Sequence, residues 1–410
     1  MSLANHKVAE ILTVGTEILL GNIVNANAAF LSRELAALGV AVFRHTSVGD
    51  NPDRLAAAFS DAFETADIVV TTGGLGPTQD DITKHVAAKF FGLETEIHEE
   101  SRRRIEVRFA DRELPENVER NAIVPCGARV FQNDNGAAPG ICIERDGKIL
   151  IMLPGPPHEM QPMFLDYAAA FLKSGRVFLS RTLKLIGRGE TSVESALRDL
   201  IDAQTNPTIA PYAKVGEVHV RVTASADGET AATALLSPTC DEIYSRLGTH
   251  IYAENDVTLA EVVVCALKKN NFTLALAESC TGGMIAAQIV DVPGCSAVFN
   301  EGFVTYSNEA KISRLGVCKK ILAEHGAVSA QVAAAMAEGV ARTAGASVGL
   351  SVTGIAGPDG GTAEKPVGLV YIGLHINGNT QIEKHNLSAN RSVVRKRTAV
   401  FALDFLRRHL

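Results

Sequence analysis

At 410 residues the chain is long enough for two or three domains, each with its own core. A net charge of −7, no Trp and only 5 % aromatic residues argue against a general nucleic-acid binder, which needs basic surface and stacking rings. Seven cysteines without CxxC spacing argue against a zinc site or disulfide framework and fit a reducing cytoplasm, and no apolar run of about 18 residues offers a membrane span.

In chain order, Val8–Val14 reads as a short apolar strand. Residues 25–38 carry Phe30, Leu31, Leu35 and Leu38 at helical spacing and stop at Gly39. Residues 40–43 read as a strand, 52–63 as a helix, 67–71 as a strand, 81–91 as a helix and Lys148–Leu153 as a strand. Apolar strands alternating with amphipathic helices predict an α/β fold, a mainly parallel sheet with helices on both faces over residues 1–172. Ligands of such sheets lie at the carboxyl ends of the strands, where the turn clusters after Val14 and Thr72 fall. Residues 173–254 read as a small β-α-β-β-α-β domain with strands at 182–186, 208–212, 217–223 and 250–252. No catalytic cluster is found there, which suggests a spacer or dimerisation element. Residues 255–410 return to alternation: helices at 257–269, after Gly283, from 307, at 329–344 and at 391–408, with strands at 272–277, 297–305, 347–352 and 367–375.

The C-terminal α/β unit concentrates small hydroxyl residues, glycines and one lysine at its turns. Ser279, Thr281, Gly282 and Gly283 lie where a strand passes into a helix, a place that favours a bound anion such as phosphate. Ser296 lies in a Gly-Cys-Ser-Ala turn, and Lys311 sits early in a helix that Ser307 is placed to cap. A lysine neutralised by burial can deprotonate a serine. Thr353 ends a buried strand and leads into the loop of Gly354 and Gly357, which lacks the Walker A pattern. Arg391 and Arg395, four apart on one helix, are candidates for holding phosphate.

The runs AESCTGG, GFVTYSNEAK and TGIAGPDGG followed by EKPVG resemble the nicotinamide mononucleotide amidohydrolase family, the C-terminal half of CinA proteins, over residues 255–410. The resemblance implies hydrolysis of nicotinamide mononucleotide to nicotinate mononucleotide and ammonia, without a metal. It implies Ser296 as nucleophile, Lys311 as base, and Ser279, Tyr306 and Thr353 as groups that position substrate or stabilise the oxyanion. Arg391, seconded by Arg395, would meet the phosphate.

In the N-terminal unit, Gly15-Thr16-Glu17, then Asp50, then Gly73, Gly74, Gly76, Thr78, Asp80, Asp81 and Lys84 gather at turns, with Asn135-Gly136 further on. Glycine turns suit a pyrophosphate, and scattered carboxylates suit a hydrated divalent ion. Asp80 or Asp81 could equally cap the helix that follows. The runs GTEILLG, TTGGLGPTQDD, NGAAPG and LPGPPHE resemble the N-terminal CinA domain, related to the molybdopterin-binding MoaB/MogA proteins. That resemblance implies an ADP-ribose pyrophosphatase that releases AMP and ribose 5-phosphate. It also implies a divalent metal (Mg, Mn or Co, with K as a further ion) at Asp50 and Asp81. Relatives commonly have Lys-Gln-Ala where this chain has Arg120-Asn121-Ala122, which leaves substrate preference open. The middle domain would be the KH-like module of full-length CinA, without any need to bind RNA. The expectation is thus a bifunctional cytoplasmic homodimer of pyridine nucleotide recycling (NAD salvage). The alternatives are a molybdopterin-binding or adenylylating protein, and a competence-associated scaffold with vestigial sites.

Overall fold

A computed structural model describes residues 7–110, 118–172 and 177–410. It falls into two compact units, one running to Leu179 and including Thr223–Leu236, the other comprising Ser180–Val222 and Ser237–Leu410.

The N-terminal elements are β1 (Val8–Val14), α1 (Thr16–Leu19), α2 (Ala26–Ala37), β2 (Ala41–Val48), α3 (Pro52–Thr65), β3 (Ile68–Thr72), α4 (Thr83–Phe91), β4 (Thr95–Ile97), α5 (Glu99–Arg108), β5 (Ile123–Pro125), β6 (Arg129–Phe131), β7 (Gly140–Arg145), β8 (Lys148–Leu153), α6 (Pro157–Met163) and α7 (Ala169–Leu172). The main sheet has the order β2-β1-β3-β8-β7-β6. Its first four strands are parallel, and β7 and β6 add antiparallel at one edge. Because strand side chains alternate, Ile11, Ile68 and Val70 pack with Leu31, Leu35 and Met160 on one face. Leu12, Val14 and Val69 pack with Leu55, Phe59 and Val86 on the other. Helices therefore cover both faces, as the sequence predicts. Asn25 caps α2 and Asn51 caps α3, each accepting a backbone N–H three residues on.

The middle elements are β9 (Val177–Leu185), α8 (Glu190–Ala203), β10 (Thr208–Lys214), β11 (Glu217–Ala226), α9 (Glu229–Leu247) and β12 (Ile251–Glu254). Their sheet order, β10-β11-β9-β12, is that of a split β-α-β-β-α-β unit.

The C-terminal elements are α10 (Leu259–Lys269), β13 (Leu274–Glu278), α11 (Met284–Val290), β14 (Phe299–Val304), α12 (Asn308–Leu315), α13 (Lys319–His325), α14 (Ala330–Ala344), β15 (Val348–Gly354), β16 (Leu369–Ile376), β17 (Asn379–Asn386) and α15 (Arg391–Arg407). The sheet runs β14-β13-β15-β16-β17, parallel across the first three strands and antiparallel beyond. Leu274 and Leu276 face the helices α10, α11 and α15, whereas Ala275 and Ala277 face α12, α13 and α14. Thr258 starts α10 through a capping box with Glu261. Within 297–305 there is one strand, β14 (Phe299–Val304), and it lies at the sheet edge.

Candidate active sites

In the C-terminal sheet, the carboxyl ends of β13, β14 and β15 converge. β13 ends at Glu278, a buried residue whose carboxylate accepts hydrogen bonds from the N–H groups of Gly283 (2.9 Å), Ile285 (3.2 Å) and Ala286 (2.8 Å). The protein's own carboxylate therefore fills the start of α11, where the sequence suggests a substrate phosphate. Gly282 and Gly283 are left-handed (φ 63° and 91°), which lets the chain fold back onto Glu278. Thr281 is fully buried, and Arg395 donates to the carbonyls of Cys280 (2.9 Å) and Thr281 (2.8 Å). Thr281, Gly282, Gly283 and Arg395 thus build and brace the turn that presents Ser279. For Arg395, whose guanidinium is spent on two carbonyls, this is a bracing role where the sequence suggests a phosphate contact.

Ser307 caps α12 by accepting from the Ala310 N–H at 3.1 Å. One residue later comes Lys311, 1 % exposed. Its Nζ donates to the carbonyls of Thr305 (2.8 Å) and Tyr306 (3.2 Å) and lies 3.2 Å from Ser279 Oγ. Two carbonyls that only accept and one hydroxyl that can donate are the complement of a neutral amine. Burial lowers the Lys311 pKa, and no carboxylate figures among the charges that act on it.

Ser296 does not join this pair. It is exposed on a short 3-10 turn, Cys295–Ala297, just before β14 begins, whereas Thr305 and Lys311 follow the end of β14. Six strand residues at about 3.3 Å each put Ser296 and Lys311 at opposite edges of the sheet, roughly 20 Å apart. The serine that reaches Lys311 is Ser279.

Thr353 is buried, and its hydroxyl donates to Ala327 O at 2.8 Å, tying β15 to the segment before α14. Gly354 packs against β16, where an added Cβ would lie 2.7 Å from Val370. Arg391 is exposed and donates to Gly357 O (2.8 Å) and Tyr306 Oη (3.2 Å). Since Tyr306 O is itself a Lys311 partner, Tyr306, Gly357 and Arg391 form a cluster beside Ser279 and Lys311.

The N-terminal cleft, about 610 Å³, is lined by Gly15, Glu17, Asp50, Gly73, Gly74, Gly76, Asp80 and Asp81, and also by Asn121 and Glu159. Gly73 is required because β1 and β3 end against each other: an added Cβ would lie 2.1 Å from Val14 O, at φ 105°. Thr16 donates to Asp50 Oδ2 from its N–H (3.0 Å) and hydroxyl (2.7 Å). Thr78 does the same for Asp81 Oδ2, at 2.8 and 2.6 Å. Each threonine fixes one carboxylate oxygen, so both serve as orienting groups. Ile82 holds the cap position of α4 without a side-chain bond, so neither Asp80 nor Asp81 caps that helix.

Among the described residues no three His, Cys, Asp or Glu side chains stand together as a metal cage. Two fixed carboxylates in an open cleft fit a hydrated divalent ion that completes its shell with water and substrate phosphate. Lys84 does not reach the cleft: it is 1 % exposed and donates to the carbonyls of Arg120 and Asn121, and burial lowers its pKa to about 8. Asn135 and Gly136 are turned aside as well. Asn135 O accepts from Arg108 at 3.0 Å, and Gly136 packs against Glu159, while Ala137 and Ala138 line the cleft. Asn27, in the first turn of α2, donates to Thr72 Oγ1 (2.9 Å) and Gly155 O (2.7 Å) and ties two strand ends at this edge, a role the sequence does not announce.

Three family models match in order: "Probable molybdopterin binding domain" at residues 10–174, "Damage-inducible protein CinA KH domain" at 180–253 and "CinA C-terminal domain" at 256–410. A CinA-like protein of Dictyoglomus thermophilum is 52 % identical over 405 residues, covering 98 % of both chains. The chain belongs to the CinA family. A second CinA-like protein, from Kosmotoga olearia, is 50 % identical over 406 residues, again with 98 % of each covered. The crystal structure of a competence/damage inducible protein from Agrobacterium tumefaciens is 42 % identical, covering 36 % of this chain and 91 % of that one (TM-score 0.35). No helix among the described residues of this CinA-family chain is long and apolar enough to cross a membrane.

Proposed function

We propose that the C-terminal domain is a serine amidohydrolase acting on nicotinamide mononucleotide. The observation that carries this reading is the buried Lys311 amine 3.2 Å from Ser279 Oγ. Ser279 Oγ attacks the amide carbon as its proton passes to Lys311 Nζ. The N–H groups of Cys280 and Thr281, which donate to no backbone carbonyl, are the nearest candidates to meet the developing oxyanion. Collapse of the tetrahedral adduct breaks the C–N bond, and the Lys311 ammonium returns the proton to the departing ammonia. Water, deprotonated by Lys311, then releases the carboxylate from Ser279. Arg391, exposed and oriented by Gly357 and Tyr306, takes the phosphate as a forked donor. The substrate itself is inferred from the family resemblance of these motifs.

For the N-terminal domain we propose metal-dependent hydrolysis of the ADP-ribose pyrophosphate. A divalent ion, when bound, would neutralise charge on the bridging phosphates. Thr16 and Thr78 hold Asp50 and Asp81 toward it, and the Gly73–Gly76 turn leaves room for the phosphate chain. The molybdopterin-binding family model favours a second reading of the same cleft, as a pterin site. Pterin fluorescence released from the purified protein would support it.

The deciding assay is ammonia release from nicotinamide mononucleotide with chelator present. Wild type and Ser296→Ala should release ammonia; Ser279→Ala should not. A silent Ser296→Ala beside an active Ser279→Ala would refute the Ser279/Lys311 assignment.

A further inference from the structure

A groove of about 1360 Å³ lies within the second compact unit, away from the Ser279 cluster. One wall is the 186–190 loop after β9 and the turn between β10 and β11; the other is β17 and α15. The walls are tied together. Arg407 donates to Thr249 O (3.4 Å), and the Gly216 turn packs so closely on α15 that an added Cβ would lie 3.2 Å from Val400.

The groove carries six arginines and lysines against four carboxylates, in a protein whose net charge is −7. Three of the carboxylates are already committed. Glu217 accepts from Tyr252 Oη (2.8 Å) and lies 2.8 Å from His219 Nε2. Glu383 pairs with Arg408 (2.6 Å) and His385 (3.0 Å), and Asp404 pairs with Arg407 (2.8 Å) and Arg408 (2.9 Å). Lys384, paired across with Tyr371, stands on the opposite face of the sheet from Glu383 and His385 and so points away from α15. Among the described residues, Arg188, Lys214 and Arg397 have no carboxylate partner, and of the four acids Glu190 alone has no pairing.

Two of these three cations lie near aromatic faces. Lys214 is over Tyr212 (5.6 Å) and Arg397 over Phe401 (5.6 Å), whose other neighbour is the stacked ring of His385 (4.8 Å). Ring faces hold a cation in place without neutralising it. The result is a concave surface on which Arg188, Lys214 and Arg397 carry positive charge that no paired acid offsets. A polyanion satisfies it best. The scarcity of aromatic residues that argues against stacking-based nucleic-acid binding holds here too, so the fit is to a compact anion and not to a strand of bases.

We propose that this groove is a second anion site, separate from both catalytic clefts, that takes a phosphoanhydride chain: a free short polyphosphate or the phosphates of a nucleoside triphosphate. The test is calorimetric titration of the full chain, in chelator, with tripolyphosphate and in parallel with ATP.

The expected result is binding near one equivalent per chain that weakens as salt rises, because several charges are neutralised. The triple variant R188A/K214A/R397A should weaken it at least 10-fold, and Arg397→Ala alone about 3-fold. Arg391→Ala should leave it unchanged. Equal affinities identify the phosphate chain alone as the ligand, whereas tighter ATP identifies a nucleotide. The proposal fails if neither ligand binds, or if Arg391→Ala abolishes binding while the triple variant keeps it. It also fails if a single-stranded 12-mer RNA binds more tightly than tripolyphosphate and loses that affinity in the triple variant. Ammonia release by Ser279 plays no part in these readouts, so failure here leaves the proposed catalytic reading untouched.

Discussion

Lys311 and Ser279 meet across two parallel neighbours of the C-terminal sheet, Nζ to Oγ 3.2 Å, although 32 positions separate them in the chain. Ser279 follows β13 and Lys311 follows β14, and the parallel pairing of Glu278 with Val304 brings the two strand ends side by side. A base at this position must be neutral to act, and burial shifts Lys311 in that direction. Lys311→Met should therefore lower kcat by about 10²–10⁴-fold, the usual worth of a positioned base. Lys311→Arg, which cannot lose its proton, should be equally inactive. In the wild type, kcat/KM should rise with pH along a limb whose midpoint lies below 10.5, the ordinary lysine value. A pH–rate profile with no such limb would sink the assignment.

Glu278 stands next to Ser279, the proposed nucleophile, yet does structural work. Three backbone N–H groups converge on its carboxylate, and bonds to a charged acceptor contribute about 1.5–3 kcal/mol each before compensation. Glu278→Ala should lower the thermal midpoint by several degrees and also depress kcat, because the Ser279 turn loses its anchor. Glu278→Gln keeps an acceptor and should fall between. Thermal unfolding followed by circular dichroism, together with ammonia release, separates the two effects. A Glu278→Ala protein of wild-type stability that lacks activity would instead make Glu278 a reacting group.

Much of this architecture is legible in the chain. Apolar runs such as Ile68–Thr72 and Lys148–Leu153 announce buried strands, and the glycine turns after them mark the ligand edge. β17 escapes notice because it is a polar edge strand, and β6 because it is only three residues long. The motifs give the site's membership but not its pairings. Ser296 is nearer to Lys311 in sequence than Ser279 is, but spacing does not tell which edge of a sheet a turn occupies. Likewise Arg395 looks like a phosphate ligand until its two carbonyl acceptors are seen.

The two arginines of α15 should separate in kinetics. Arg391 is exposed and adjoins the Tyr306 cluster, so Arg391→Ala should raise KM for the mononucleotide about 10-fold or more, with a smaller change in kcat. Arg395 holds the Ser279 turn, so Arg395→Ala should lower kcat and the thermal midpoint while KM moves little. Steady-state kinetics on both variants decide the matter. A reversed pattern would return Arg395 to the substrate.

Gly76 offers a test of the N-terminal cleft that leaves the C-terminal one alone. A Cβ there would lie 2.6 Å from Asp81 Oδ2, the oxygen that Thr78 holds. Gly76→Ala should displace the carboxylate and lower metal-dependent ADP-ribose hydrolysis by at least 10-fold, with ammonia release unchanged. Full activity in both assays would remove Asp81 from the proposed metal site.

Lys84 makes a prediction about stability and pH. Burial lowers its pKa from 10.5 to about 8, while the unfolded chain keeps the ordinary value. Between these pH values the unfolded state binds more protons than the folded one, so unfolding free energy rises with pH across that window. Below about 8 the lysine is charged in both states and folding bears the full cost of burying it. Above 10.5 it is neutral in both, and that cost is gone. A shift of this size corresponds to about 3 kcal/mol at most. Other lysines and tyrosines titrate in the same range, so the measurement is a difference. The midpoint of urea unfolding for wild type minus that for Lys84→Met should increase from pH 8 to pH 10.5. A difference that stays flat would mean that Lys84 remains charged in the folded protein, held by the carbonyls of Arg120 and Asn121 strongly enough to offset its burial.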